Sequence, residues 1–210
     1  MTSLISIARD SAEDLSKTKP ESTLQDREDK AALRRALIDA RRVLSSDMRT
    51  RLDSAIAALL VAWWQSNPVQ SLGVFWPIQH EPDLRTAYAL LAAKGVQLAL
   101  PIVDQRDAPL RYAAWTPGDP VVKDALGISI PAKNEVSMLP EALLIPCVGF
   151  NQARFRLGYG GGFYDRTLDT SPRPLAVGIA YAASSATFSA APHDIPMDVL
   201  ITETQIVTSG

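Results

Sequence analysis

Cysteine is almost absent from this sequence: Cys147 is the only one in 210 residues, so no disulfide can form within the chain. That fits a reducing compartment. Histidine is nearly as scarce, and His80 and His193 are the only side chains of that type to weigh as acids or bases near neutral pH. No Ser-His-Asp or Cys-His arrangement points to a covalent nucleophile. Neither sign of charge is in excess, since 21 Lys and Arg stand against 23 Asp and Glu for a net charge of -2. Such a chain has no electrostatic footprint for wrapping nucleic acid, although a local basic site for phosphates is still allowed. No apolar run approaches the length of a membrane span, and Met1 to Asp10 lack the basic start and long apolar stretch of a secretory signal. The expected address is cytoplasmic, without membrane or nucleic-acid partners.

What is present is an ordinary globular composition. With 47% apolar and 21% charged residues, 210 positions suffice for one well-buried core but not for two full-sized domains. Residues 1 to 25, rich in Ser, Thr, Glu, Asp and Lys, read as a flexible tail, and 26 to 210 as a single domain. Leu33, Leu37, Ala40 and Leu44 repeat at helical spacing, with Lys30, Arg34, Arg35, Arg41 and Arg42 around them. A second helix is predicted over 47–65, stopped by Asn67-Pro68. Strand and helix patterns then alternate. A strand over 71–76 is followed by a helix from Glu81-Pro82-Asp83 to Lys94, with Gly95 as its C-cap. Strands are expected over 96–100, at an edge over 110–115, and over 143–145, 175–181 and 199–202. Between Pro117 and Pro140 the chain reads as irregular with a short helix near Val121, and a further helix is expected over 162–168. This order predicts an α/β fold of three layers, with a mostly parallel sheet, helices on both faces and ligands at the carboxyl ends of the strands.

The chemistry concentrates in one stretch, Arg154-Phe155-Arg156-Leu157-Gly158-Tyr159-Gly160-Gly161-Gly162-Phe163-Tyr164-Asp165-Arg166. Four of the chain's eleven glycines fall within five residues there, after an apolar strand and before a helical pattern. Glycines allow positive φ and close approach of backbone N–H groups to a ligand. A following helix N-terminus adds a positive dipole end, so the stretch can cradle an anion. Arg156 supplies a cation suited to phosphate oxygens, and Asp165 a carboxylate that could hold Mg²⁺. A glycine-rich turn with a structural Arg–Asp pair would look the same. Neither the dinucleotide fingerprint nor the Walker pattern is present.

The wider context is more specific. Leu143-Leu144-Ile145-Pro146-Cys147-Val148-Gly149-Phe150-Asn151, followed by Arg156 to Arg166, closely resembles the signature of the 5-formyltetrahydrofolate cyclo-ligase family. Lys30-Ala31-Ala32-Leu33-Arg34 is similar to that family's N-terminal Lys-x-x-x-Arg helix. Phe75-Trp76-Pro77-Ile78-Gln79-His80-Glu81-Pro82-Asp83 is similar to its segment after the first strand, and His193-Asp194-Ile195-Pro196-Met197-Asp198-Val199-Leu200-Ile201-Thr202 to its closing motif. The likeness covers about residues 28 to 203.

The resemblance implies ATP- and Mg²⁺-dependent conversion of 5-formyltetrahydrofolate to 5,10-methenyltetrahydrofolate, with ADP and phosphate released. Lys30 and Arg34, four apart and so on one helical face, would contact ATP phosphates; alone they would pass for a solvated basic face. Arg156 and the backbone of Leu157, Gly158, Tyr159, Gly160, Gly161, Gly162, Phe163 and Tyr164 would wrap the nucleotide. Asp165 and Asp194 would bind Mg²⁺, with Asp198 a competing candidate. Trp76 and Glu81 would lie at the folate, where a carboxylate accepts hydrogen bonds from pterin N–H groups. Tyr159, Gly161 and Phe163 could line the folate side of the loop, His80 could touch substrate, and His193 would orient Asp194. The chain departs from the family pattern at Asn151, where an Asp is usual, at Arg154, where a Gly shortly precedes the Arg, and at Cys147, expected to be an inert buried thiol. A small-molecule partner and a monomer are expected. Two other readings stay open: a non-catalytic folate- or nucleotide-binding relative, and a generic α/β protein sharing only the loop.

Overall fold

The computed structural model describes residues 24–134 and 137–208. The tail expected over residues 1 to 25 lies outside these, except that Leu24 and Gln25 open the first helix. The elements are α1 (Leu24–Arg42), α2 (Ser46–Ser66), β1 (Ser71–Gly73), α3 (Arg85–Ala93), β2 (Gln97–Ile102), β3 (Arg111–Ala114), β4 (Val121–Lys123), β5 (Ser129–Pro131), β6 (Ser137–Met138), β7 (Ala142–Pro146), β8 (Gly149–Phe150), β9 (Arg156–Leu157), α4 (Phe163–Leu168), β10 (Leu175–Ile179), β11 (Val199–Ile201) and β12 (Ile206–Thr208). Eight strands make the main sheet in the order β12-β11-β10-β7-β1-β2-β3-β6. Its centre, from β11 to β2, is parallel. The flanking strands β12, β3 and β6 run antiparallel to their neighbours.

The central strands are buried on both faces, which is why they read as short continuous apolar runs rather than alternating ones. Successive side chains still part to opposite sides. Leu144 of β7 packs with Ile56, Leu60 and Trp63 of α2 and with Leu84, Tyr88 and Leu91 at α3. Leu143 and Ile145 face the other way, toward Leu168 of α4 and Met197. Helices thus cover both faces as the three-layer expectation required, but unequally, because α4 has only six residues.

Three local expectations are corrected. Helix α3 starts at Arg85, not at Glu81, because Glu81 closes a turn: its N–H donates to the Ile78 carbonyl, and its carboxylate accepts the Ile78 N–H. The stretch near Val121 is a β4–β5 hairpin rather than a helix. The Asp124 carboxylate accepts the Leu126 and Ile128 N–H groups and Gly127 takes φ +76, so turn chemistry outweighs helical pattern. Strand β3 is not the sheet edge, since β6 pairs outside it.

The connection from β1 runs through α3 to β2 on one side, and that from β7 runs through α4 to β10 on the other. Adjacent strands β1 and β7 are therefore a switch point, and a crevice opens at their carboxyl ends.

Candidate active site

A cleft of about 740 Å³ occupies that crevice, a volume suited to small organic ligands. Phe75 and Trp76 enter it from the end of β1, Pro101 from β2 and Pro146 from β7. Apart from His80 and Asp198, every residue expected to bind nucleotide, folate or metal lines it, from Lys30 and Arg34 through Trp76, Glu81 and the loop from Arg156 to Asp165 to Asp194. His193 lines it too but is 77% exposed, with Nε2 3.9 Å from Asp194 Oδ1, too far for a hydrogen bond. Asp198 lies away from the cleft, accepting the Ala176 N–H and pairing with Arg173.

Helix α1 forms one wall. Lys30 Nζ lies 3.2 Å from Asp194 Oδ2, which also accepts the Ala191 N–H at 2.7 Å. Arg34 Nε donates to the Gly158 carbonyl at 2.7 Å, so the second cation of the Lys-x-x-x-Arg pair props the glycine loop. Neither residue belongs to a solvated face.

The loop forms the opposite wall. Gly160 and Gly162 take φ +93 and +66, a region that costs a side-chain-bearing residue on the order of 1–2 kcal/mol. Arg166 Nη2 donates to the Gly161 and Arg106 carbonyls and its Nε to Ala108, tying the loop to the β2–β3 connection. Arg156 makes a two-armed contact with Asp165, at 3.2 and 2.7 Å. That is the Arg–Asp pairing weighed for this stretch from the sequence, and it commits the carboxylate expected to hold metal. Helix α4 is too short for its dipole to add much, so the cations carry most of the positive field.

The departures at the loop entrance have direct physical roles. Asn151 Oδ1 accepts the Phe155 N–H at 3.0 Å and its Nδ2 donates to the Phe188 carbonyl at 3.1 Å, so an amide orders the turn without a charge. Arg154 sits at φ +64, where glycine is the easy choice, and Arg154 Nε donates to Met197 at 3.0 Å. Cys147 is buried behind the cleft, and burial pushes its thiol up to about 12, so it stays protonated and inert.

At the far end, Gln79 and His80 both take positive φ and turn the chain so that Glu81 faces inward. His80 itself does not line the cleft. Glu81 is only 4% exposed. Its Oε2 accepts the Ile78 N–H and its Oε1 accepts the Tyr159 hydroxyl, both at 2.9 Å. Burial raises its pKa to about 7, against the lowering effect of those two hydrogen bonds and of Arg41. Trp76 packs edge-on against Trp115, with the Arg85 guanidinium 5.2 Å from its ring centre.

Two features of the site were not anticipated. The β4–β5 turn brings Asp124, Leu126 and Ile128 to the rim. Arg41, expected on the polar surround of α1, is 3% exposed instead. It lies eleven positions after Lys30 and seven after Arg34, hence on their face of the helix; that spacing was the available signal.

The model of the 5-formyltetrahydrofolate cyclo-ligase family matches residues 26–203. The chain is 29% identical over 181 residues to the 5-formyltetrahydrofolate cyclo-ligase of Mycoplasma pneumoniae, covering 83% of this chain and 99% of that relative. A solved 5,10-methenyltetrahydrofolate synthetase from the same organism superimposes with a TM-score of 0.70 at 26% identity, over 83% of this chain and 99% of the other. The NMR structure of the Aquifex aeolicus 5,10-methenyltetrahydrofolate synthetase does so with a TM-score of 0.72 at 28% identity, over 85% and 92%.

Proposed function

The chain belongs to the 5-formyltetrahydrofolate cyclo-ligase family, and from that premise we propose that it uses ATP to convert 5-formyltetrahydrofolate into 5,10-methenyltetrahydrofolate, releasing ADP and phosphate. The observation that carries this reading is the polarity of one cleft. Lys30, Arg34, Arg156 and the glycine loop make one part of it cationic, while Glu81, an acceptor for pterin N–H groups, stands in another.

In the reaction, the formyl oxygen forms a bond to the γ-phosphorus as the bond to the β,γ-bridging oxygen breaks, and that electron pair leaves with ADP. N10 then adds to the activated formyl carbon, loses its proton to solvent, and phosphate departs. The chain supplies no covalent nucleophile. Its task is to hold two substrates in line and to neutralise phosphoryl charge with pre-placed cations and N–H groups. Lys30 and Arg34 would meet the phosphates from α1, and the backbone from Leu157 to Tyr164 would wrap them. Arg156, held by Asp165, would present its charge from behind. Trp76 and Glu81 would hold the pterin, with Tyr159, Gly161 and Phe163 along its side.

A bound magnesium ion would supply positive charge to offset that of the phosphates. Asp194 fits a place beside it, because no hydrogen bond engages its Oδ1 among the described residues. Asp165 fits less well, since both its oxygens face Arg156. Residues 26 to 210 would act as one domain, in the cytoplasm and as a monomer.

An assay following the absorbance of the methenyl product, with and without Mg-ATP, tests this reading. Turnover that needs both nucleotide and 5-formyltetrahydrofolate is expected. Binding of both ligands without turnover would favour a non-catalytic relative, a reading weakened by the roles Asn151 and Arg154 fill in the loop.

A further inference from the structure

Arg41 is anomalous among the chain's cations. Its guanidinium is fully enclosed at the end of α1, and among the described residues Nε, Nη1 and Nη2 make no hydrogen bond of good geometry, the Tyr159 hydroxyl being the group near enough to draw one. Leaving such a group unpaired is costly, so its retention calls for a compensating interaction. The cation lies near enough to Glu81, Tyr159, Tyr181 and Cys147 to favour their charged forms. Tyr181 is already committed to Asp53 at 2.7 Å, and Cys147 is an enclosed neutral thiol. That leaves the Glu81–Tyr159 pair.

Glu81 needs a counter-charge. It is enclosed, its two hydrogen bonds come from neutral donors, and the charge of Arg41 favours its ionised form. Its other titratable neighbours, Tyr88 on α3, Tyr164 on α4 and Cys147 beyond β7, are neutral at physiological pH and bring no positive charge. A carboxylate accepts pterin N–H groups well only when ionised.

We infer that Arg41 is a positioning residue for the folate end of the cleft, a buried cation close to Glu81 and Tyr159 that favours the ionised form of Glu81 and holds it toward the substrate. This rests on the proposed role of Glu81 as the pterin acceptor. Arg41 does not line the cleft, so it acts through Glu81 and does not itself touch the folate.

The test is the pH dependence of KM for 5-formyltetrahydrofolate and for ATP in wild type, Arg41→Met, Arg41→Lys and Glu81→Gln. Substrate ionisations are common to all four and cancel in the comparison. In wild type, KM for folate should rise about tenfold per pH unit below the Glu81 break. In Arg41→Met that break should move up by about one pH unit or more, raising KM for folate about tenfold near neutrality. The kcat and KM for ATP should stay within about twofold, because nothing at the phosphate end has changed. Arg41→Lys should bring the break back toward wild type. If Arg41→Met does not fold, Arg41→Gln, close in length and neutral, is read in the same way. A neutral variant whose folate profile superimposes on wild type overturns the inference, as does one that only loses thermal stability and kcat without moving the break. Glu81→Gln separates the two levels. If it raises KM for folate while Arg41→Met has no effect, only the role of Arg41 fails. If Glu81→Gln matches wild type at every pH, the folate site itself is misassigned and the role of Arg41 falls with it.

Discussion

Lys30 and Asp194 meet at 3.2 Å across 164 positions of sequence. Their contact brings the first helix against the segment before the last parallel strand and closes the cleft at the end proposed for the phosphates. Arg34, one turn further along α1, carries the same wall onto the glycine loop through the Gly158 carbonyl.

Removing these cations should therefore weaken nucleotide binding more than folding. Hydrogen bonds to charged groups contribute about 1.5–3 kcal/mol, so Lys30→Ala and Arg34→Ala should each raise KM for ATP by about ten- to a hundredfold. KM for folate should change little. Arg34→Ala should also lower kcat, because the loop loses its prop. Steady-state kinetics with each substrate varied in turn checks both, and a double variant with wild-type KM for ATP would return the pair to a solvated face.

The two acids should part company. Asp194→Asn should need several-fold more Mg²⁺ for half-maximal rate while melting near the wild-type temperature. Asp165→Asn should instead strand Arg156, whose side chain is 6% exposed and whose Nε already lacks a partner among the described residues. Breaking one side of a buried pair costs about 3–5 kcal/mol, so a fall in Tm of about 10 °C is expected. Magnesium titrations and thermal melts on both variants decide it; equal metal dependence and equal melting would remove the distinction.

Gly162→Val should abolish efficient use of ATP in a protein that still folds. At φ +66 a branched side chain is strained by about 1–2 kcal/mol, and its Cβ would meet Arg166 Nη1 at 2.7 Å. Displacing Arg166 frees Gly161 from its tether. Gly95, at φ +92 with nothing within 4 Å, is the control. Gly95→Val should lose comparable stability and keep wild-type KM for ATP.

Glu81 should make the unliganded protein less stable as pH rises. Its folded pKa is raised, so the stability it contributes is fully present below its ordinary value of 4.5 and is lost as pH climbs through about 7. The gap between those values corresponds to about 3 kcal/mol at most, or about 10 °C in Tm. Glu81→Gln keeps an acceptor for the Ile78 N–H and offers its amide N–H to the Tyr159 hydroxyl oxygen, which now accepts, and should melt higher than wild type at pH 8 but equally at pH 4.5. Its folate KM should rise at pH 8. A Glu81→Gln protein that melts below wild type at pH 8 contradicts the assignment of burial as the dominant cause.

The sequence by itself determined what depends on near neighbours along the chain. Helical spacing in α1 and α2, short apolar runs for the central strands, and glycines placed for positive φ at 160 and 162 all act over a few residues, so their patterns are legible before folding. The four motifs also carried the family, because each has its own internal spacing. Only the tertiary structure decided which of these groups meet. Lys30 with Asp194, and Tyr159 with Glu81, depend on where distant strands return. Asp165 could have faced metal or an arginine, and packing turned both its oxygens to Arg156. Arg41 and Arg42 are adjacent arginines on one helix, yet one is enclosed and the other solvated. The difference is a rotation of about 100° around one helix. Which side of that helix faces inward is set by the surface it packs against, and no local pattern encodes that surface.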